Sequence, residues 1–148
     1  MTQVLTGVVT TKGREVLAKS FGAIAGYPLC RVHHFVYGEG GWVDLGAGKT
    51  PKTPDPALLD VEATGVPGNY KHSKDLVAAD INFLSPSTLE IRCKLNPTEA
   101  NDDGLGNYPK FFELGVFDEN GNMIVYCTFD EQTKTPTKSL ISYVQVYF

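Results

Sequence analysis

The chain contains few residues that carry redox or metal chemistry. Its three cysteines, Cys30, Cys93 and Cys127, are widely spaced, and no two of them form a CxxC pair. The sequence therefore favours neither a disulfide framework nor a zinc site. We expect Cys93 and Cys127, which lie in predicted strands, to be buried free thiols. A disulfide between these two residues would require that their strands are neighbours.

An excess of basic residues is also missing. The chain has 13 Lys and Arg against 17 Asp and Glu, which gives a net charge of −4. Because a general nucleic-acid binder needs a basic face, we expect no nucleic-acid partner. Six lysines fall in predicted loops, and we expect their side chains to be solvated. These are Lys49, Lys52, Lys71, Lys74, Lys134 and Lys138.

Long apolar runs are absent. No run approaches the roughly 20 residues that cross a bilayer, so we expect no membrane association. Residues 1–6 (MTQVLT) lack the basic and apolar regions of a signal peptide. The sequence thus predicts a soluble protein that folds in a cytoplasm.

Nucleotide-binding loops are incomplete. Residues 46–50 (GAGKT) are similar to the end of a phosphate-binding loop, but position 43 is Val where that motif requires Gly. Pro51 and Pro54 also oppose the helix that should follow. Residues 38–41 (GEGG) do not complete a GxGxxG motif and instead predict a turn after a strand.

Motifs of common nucleophilic enzymes are missing, since the chain contains no GxSxG sequence. Glu113 and Asp118 flank one predicted strand, and paired carboxylates can hydrolyse glycosides. We interpret Glu113, however, as an edge or interface charge. The sequence therefore predicts no catalysis and no cofactor.

Two segments contain metal-ligand residue types. His33 and His34 are adjacent on a predicted strand, so they should point to opposite faces, with one packed and the other exposed. Residues 99–107 (EANDDGLGN) offer oxygen donors of the kind that Ca²⁺ prefers, but their spacing is not that of an EF-hand. We favour a solvated acidic loop and predict no metal site.

Residues 111–129 (FFELGVFDENGNMIVYCTF) are the most informative segment of the sequence. Two apolar runs flank Asn120-Gly121, which is a strong signal for a β-hairpin. Gly tolerates the positive φ that a tight reversal requires. We expect five of its apolar residues to be core: Phe112, Leu114, Val116, Met123 and Val125.

Other segments predict further elements. Residues 11–21 predict a helix capped by a Thr, with Val16, Leu17 and Phe21 near its apolar face and Gly22 as a left-handed C-terminal residue. Residues 31–37 predict a strand. Residues 79–84 and 88–95 predict a hairpin whose second strand alternates apolar and polar side chains.

Two features suggest contact with partners. Residues 44–68 form a long irregular stretch, which is either functional, ordered by a partner, or a well-packed surface loop. The predicted strand at residues 140–148 is apolar on both faces, so it is either central under two layers or covered by another subunit. Trp42, Tyr143, Tyr147 and Phe148 are our candidate interface residues.

The sequence thus predicts a single α+β domain over residues 1–148. It should be dominated by antiparallel β-sheet in a sandwich-like arrangement, with one N-terminal helix and long loops. Turn residues between short apolar runs are typical of this class.

Three segments carry a resemblance to a known family. They are residues 37–41 (YGEGG), 53–58 (TPDPAL) and 111–124 (FFELGVFDENGNMI). In their order and pattern they resemble the phage tail-collar fibre family, in which a GxG turn, a proline-bearing loop and an E-(I/L)-G-(L/V)-F-D hairpin recur. That family also has a helix where this chain has residues 11–21.

The resemblance implies a structural virion protein that attaches or organises tail fibres at the baseplate or collar. It implies a homo-oligomer, commonly a trimer, whose partners are other tail, baseplate or fibre proteins. Its location would be the virion tail, after assembly in the cytoplasm of the bacterial host. The length of the chain favours a stand-alone baseplate or fibre-adaptor subunit.

Two alternatives remain at this point. One is a module that binds a glycan of the host surface, with Trp42 and loop tyrosines as a stacking platform. The other is an enzyme that acts on cell-wall polysaccharide and depends on Glu113.

Overall fold

A computed structural model of the chain describes residues 1–22 and 26–148. In these residues the chain is mostly β-strand, with one α-helix, α1 (Thr11–Phe21). The strands are β1 (Thr2–Thr6), β2 (Val8–Val9), β3 (Val32–Gly38), β4 (Trp42–Asp44), β5 (Lys49–Pro51), β6 (Lys71–Asp75), β7 (Ile81–Ser85), β8 (Thr88–Leu95), β9 (Lys110–Asp118), β10 (Met123–Thr133) and β11 (Leu140–Tyr147). The prediction of a β-dominated α+β fold with an N-terminal helix is confirmed.

The strands form two main sheets and one small hairpin. The four-stranded sheet has the order β1-β11-β8-β7, and the five-stranded sheet has the order β2-β10-β9-β3-β6. Strands β4 and β5 pair with each other. Neighbouring strands are antiparallel except β1 and β11, which run parallel. Strand β1 was not predicted from the sequence, since it is short and its partner, β11, is distant along the chain.

The main core lies between the two larger sheets. Its buried residues come from both, for example Ile91 and Val144 of the four-stranded sheet and Leu114 of the five-stranded sheet. The hydroxyl of Tyr37 on β3 crosses this core and lies 2.8 Å from the Cys93 carbonyl oxygen and 2.6 Å from Ser142 Oγ. A side chain from one sheet therefore hydrogen-bonds to two strands of the other.

The predicted buried thiols are confirmed. Cys93 and Cys127 are free and almost fully buried, and burial raises the pKa of the Cys127 thiol to about 12. Cys93 lies on β8 and Cys127 on β10, which belong to different sheets. The condition for a disulfide between them is not met.

The helix is confirmed at its predicted bounds. The hydroxyl of Thr10 accepts the Gly13 N–H at 2.8 Å, which is the expected N-terminal cap. Val16 is buried, but Phe21 is 94% exposed, so its assignment to the apolar face is wrong. Gly22 was also predicted wrongly as left-handed, because its φ of −70° lies in the right-handed region.

The hairpin of β9 and β10 is confirmed, together with the burial of its five predicted core residues. Gly121 has a φ of +84°, which a glycine adopts at low cost. Asp118 Oδ1 accepts the backbone N–H groups of Asn120 and Asn122, at 3.0 and 2.8 Å. This carboxylate therefore holds the turn closed.

The second predicted hairpin, β7 with β8, is also confirmed. In β8 the alternate residues Ile91, Cys93 and Leu95 are fully buried, as their pattern predicts. Strand β11 is central in its sheet, between β1 and β8. One face of β11 is buried, but in the described structure its other face stays partly exposed, so the expected position under two layers is not met and coverage by another subunit stays a prediction.

The stretch at residues 44–68 contains a short strand that the sequence analysis missed. Residues 46–50 lie in the β4–β5 hairpin, where Asp44 Oδ1 accepts the Gly46 N–H at 2.8 Å. No helix follows Thr50 among these described residues, so the phosphate-binding geometry is not formed. Strand β6 was missed as well, since its sequence KHSKD lacks apolar alternation.

Candidate functional site

Glu113 on β9 is fully buried and accepts four hydrogen bonds from the protein. Its Oε2 accepts the backbone N–H groups of Gly40 and Ala63, at 3.0 and 2.8 Å. Its Oε1 accepts the Glu62 N–H at 2.7 Å and the Tyr126 hydroxyl at 2.8 Å. Burial raises the pKa of the Glu113 carboxyl, and the hydrogen bonds oppose this shift. The interpretation of Glu113 as an edge or interface charge is therefore wrong.

The turn after β3 reaches this carboxylate because it is built from glycines. A Cβ on Gly40 would lie only 2.6 Å from Glu113 Oε2. Gly41 has a φ of +79°, a left-handed conformation that favours glycine. The glycines of the GEGG sequence are thus required for more than the turn, since a larger residue at position 40 would hold the backbone away from Glu113.

The segment between β5 and β6 covers the face of the five-stranded sheet that points away from the main core. Val61 and Ala63 of this segment are buried there. They form a second cluster with sheet residues and with the partly buried Leu58: Val36, Phe117, Met123 and Tyr126. The structure agrees with a well-packed loop only around these residues, since most of residues 44–68 are exposed.

Trp42, a predicted interface residue, is half-buried at the start of the β4–β5 hairpin. Its indole N–H donates to the Glu39 carbonyl oxygen at 2.8 Å, and the Lys49 ammonium lies 4.3 Å from the ring centroid. A cavity of about 360 Å³ lies beside it, lined also by Glu62 and Asn69. The described residues that line this cavity include no tyrosine, so the expected platform of Trp42 with loop tyrosines is not brought together there.

The other three candidate interface residues lie on β11 or just after it. Tyr143 and Tyr147 alternate with the buried Val144 and Val146, so they point to the outer face of the four-stranded sheet. Tyr143 is half-buried, whereas Tyr147 is 57% exposed. Phe148 is 70% exposed. The placement of Tyr147 and Phe148 leaves them available to a partner, and their role at an interface stays a prediction.

An apolar groove opens beside Phe148. It measures about 320 Å³ and is lined by residues from both sheets and from α1, among them Leu17, Phe83 and Val146. Phe83 lies on β7, the edge strand of the four-stranded sheet, and is 76% exposed. The groove and the edge strand therefore form one continuous apolar surface, which we call the β7 edge surface.

The acidic loop at residues 99–107 uses its carboxylates to hold its own backbone. Asp102 Oδ1 accepts the N–H groups of Gly104 and Gly106, and Asp103 Oδ1 accepts that of Leu105. Glu99 pairs with Lys74 at 2.7 Å. Within the described ranges, no cluster of three or more His, Cys, Asp or Glu is placed to hold a metal ion.

The two histidines do not point apart as the alternation predicts. The register of β3 against β9 shifts between Val32 and His34, and the Nδ1 atoms of His33 and His34 lie 3.0 Å apart. His34 stacks on Phe117 with ring centroids 5.0 Å apart, whereas half of the His33 side chain is exposed. The bulge breaks the period of two, which is why the prediction of opposite faces is wrong. The expectation that one histidine is packed and the other exposed is confirmed.

The expectation that all six lysines are solvated is also wrong. Lys134 is fully buried, and its ammonium donates to Asn101 Oδ1 at 2.8 Å and to the carbonyl oxygens of Thr135 and Pro97 at 3.0 and 3.3 Å. Burial lowers its pKa. Lys134 therefore ties the loop after β8 to the end of β10.

The burial of Glu113 and Lys134 and the edge position of β7 were not predicted from the sequence. Glu113 and Lys134 leave no local signal, because their partners are distant in the sequence or belong to irregular loops. Phe83 and Leu84 do leave one: residues 81–85 (INFLS) place apolar side chains at consecutive positions, which departs from the alternation seen in β8.

Comparison with known proteins brings no further likeness, since no family model, curated protein or solved structure matches this chain. Among the residues that the structure describes, no helix has the length and apolar character needed to cross a bilayer.

Proposed function

We propose that this chain is a structural subunit of a phage tail that attaches or organises fibres at the baseplate or collar. It would act as a homo-oligomer in the virion tail, together with other tail, baseplate or fibre proteins, after assembly in the cytoplasm of the bacterial host. The proposal includes a sandwich-like scaffold, which is supported by the core residues that the two larger sheets share.

The observation that most supports this proposal is the packing of the segments on which the resemblance rests. Residues 37–41 and 111–124 meet at Glu113, through the Gly40 N–H. Leu58, at the end of the segment at residues 53–58, packs against the cluster that contains Phe117 and Met123. Segments separated by up to 70 residues in sequence thus form one unit, so the resemblance concerns a connected part of the fold rather than scattered matches.

The state of the carboxylates supports a structural rather than a catalytic role. Glu113 is fully buried, with both oxygens engaged by protein donors, and Asp118 caps the hairpin turn. A glycosidase needs two carboxyl groups that reach the substrate. We therefore propose that neither residue takes part in catalysis.

The test is assembly with the proteins that neighbouring genes encode. The full chain is co-expressed with them, one at a time, and complexes are purified and sized by light scattering. We expect a stoichiometric complex with a fibre or baseplate protein. A chain that binds none of them but binds glycans on an array, with loss of binding in Trp42→Ala, would overturn the proposal in favour of the glycan-binding alternative.

A further inference from the structure

The groove of the β7 edge surface, about 320 Å³ in volume, reaches from the surface into the main core. Its lining includes Ile91, Val125 and Val146, of which no more than 2% is exposed. Phe83 and Phe148 line it as well, and they leave 76% and 70% of their surface exposed. The buried residues thus form a floor between the two larger sheets, and the two aromatic residues stand at its rim.

The lining of this groove is apolar apart from two neighbouring residues. Of the described residues that line it, Arg31 is the only charged one. Burial raises the pKa of the adjacent Cys30 thiol to about 11, with a further contribution from the charge of Asp118, so the thiol is uncharged at neutral pH. All the other lining residues are aliphatic or aromatic. A concave, mostly apolar site with few polar groups is the usual form of a small-molecule site in proteins.

The charge of Arg31 has no counter-ion in the described part of the chain. Arg92, by comparison, pairs with Asp80 at 2.9 Å, whereas no described carboxylate forms an ion pair with the Arg31 guanidinium. Asp118, on the neighbouring strand β9, is buried, and its Oδ1 accepts N–H groups of the hairpin turn. Residues 23–25 (AIA), which lie outside the described ranges, contain no carboxylate side chain. Arg31 is therefore available to an anion from outside the chain.

The surface beside the groove adds a second positive charge. A depression of about 360 Å³ adjoins the groove and shares three lining residues with it: Val9, Leu17 and Phe148. Arg14 of α1 is the only charged residue among its described lining, and its guanidinium also forms no ion pair within the described ranges. Since no acidic residue lines either part, the local charge favours an anionic ligand over a cationic one.

The volume of the groove sets the size of the apolar part of a ligand. An apolar cavity of about 150 Å³ holds a benzene ring, so a groove about twice as large has room for roughly ten to twelve carbon atoms. We propose that the groove binds a medium-chain carboxylate, with its apolar chain on the floor between the sheets and its carboxylate at Arg31. Burial of the chain drives binding, and the guanidinium selects the charge of the head group. The proposal does not depend on the role in a phage tail.

Methyl NMR of the full chain tests the site and its preference for an anion. The probes are decanoate, decanol and decyltrimethylammonium at pH 7.5, each below its critical micelle concentration. We expect decanoate to shift the methyl signals of Leu17, Ile124 and Val146, which line the groove, and to leave those of Leu58 and Val61 in the second cluster unchanged. Decanol should bind about fivefold more weakly than decanoate, since a partly exposed ion pair contributes up to about 1 kcal/mol. Decyltrimethylammonium should bind more weakly than decanol.

The variant Arg31→Gln tests the anchor of the carboxylate. Its dissociation constant for decanoate should rise about fivefold, to that of decanol, while its affinity for decanol stays unchanged. The matched control is Lys12→Gln, which removes the same charge from α1 at a position that lines neither the groove nor the depression. Circular dichroism of both variants checks that the strands are retained.

Four outcomes would overturn the proposal. They are no binding of decanoate, equal binding of the three probes, an Arg31→Gln protein that binds decanoate as the wild type does, and shifts of the groove signals with protein concentration alone. The last would assign the groove to a second copy of the chain. None of these outcomes bears on assembly with tail proteins, which the co-expression experiment tests separately.

Discussion

At the scale of single residues, Glu113 shows how a charge is accommodated inside this protein. A buried carboxylate without partners is costly, and hydrogen bonds to the charged form offset that cost. Here backbone N–H groups of Gly40, Glu62 and Ala63 point at one side chain, together with the Tyr126 hydroxyl. The carboxylate therefore accepts hydrogen bonds from loop N–H groups that would otherwise need water as their acceptor.

The variant Glu113→Gln tests this role. Its side-chain amide cannot accept on both atoms, so at least one pair of donors would lose its acceptor inside the protein. We expect the free energy of unfolding to fall by about 3 kcal/mol. Chemical denaturation measures this change, and the exposed Glu119→Gln on the same hairpin is the control. Equal stability of the two variants would contradict the account.

The residue scale also marks a limit of prediction. The alternation of apolar residues in β8 correctly predicts the burial of Ile91, Cys93 and Leu95, since the period of a strand is a local property. The burial of Glu113 depends on Gly40 and Glu62, which lie 73 and 51 residues away. A side chain whose partners are set by tertiary packing carries no local sign of them.

At the scale of elements, α1 lies unusually close to β10. Gly13 is buried, and a Cβ at this position would lie 2.6 Å from the Ile124 carbonyl oxygen. The Thr10 hydroxyl donates to the Met123 carbonyl oxygen at 2.6 Å, on the same part of β10. The glycine weakens the helix by about 1 kcal/mol relative to alanine, and it permits this approach.

The variant Gly13→Ala separates these two effects. Helix propensity alone would stabilise the protein, but the clash with the strand should outweigh it. We expect a net loss of about 1–2 kcal/mol in the free energy of unfolding. Gly22→Ala is the control, because Gly22 has a right-handed φ of −70° and its replacement should leave stability unchanged or slightly higher. A more stable Gly13→Ala protein would refute the close-approach argument.

The elements that could be predicted are those with local signals. The hairpins at β7–β8 and β9–β10 have turn residues between apolar runs, and α1 has a capping Thr. Strands β1 and β6 are five residues long and pair with strands that are distant in the sequence, β11 and β3. The candidate surface was predictable to the same extent: Tyr147 and Phe148 follow from the apolar last strand, whereas the open edge at β7 requires the order of the strands.

At the scale of the whole molecule, two histidines make the free energy of unfolding depend on pH. Burial lowers the pKa of both His34 and His72 below the usual value of 6.5. The unfolded chain therefore takes up protons before the folded protein does as the pH falls. The contribution of the neutral histidines to the free energy of unfolding is fully present above pH 6.5. It is lost as the pH falls below 6.5 and through the lower pKa values of His34 and His72 in the folded protein.

Thermal denaturation between about pH 7.5 and 5.5 measures this dependence. We expect the melting temperature of the wild type to fall on acidification, and that of His72→Gln to fall less. Glu113 has a raised pKa and favours stability at lower pH, but it is present in both proteins and does not affect the comparison. Identical pH dependence of the two proteins would rule out a contribution from His72.

The parallel pair of β1 and β11 has a consequence for the order in which the protein folds. Thr2 pairs with Ile141, and Thr6 pairs with Gln145. During synthesis, residues 2–6 leave the ribosome before residues 140–147 and can pair with them only once both segments are available. Contacts of such long sequence separation form slowly. In the nascent chain, the four-stranded sheet therefore cannot be completed before residues 140–147 have left the ribosome.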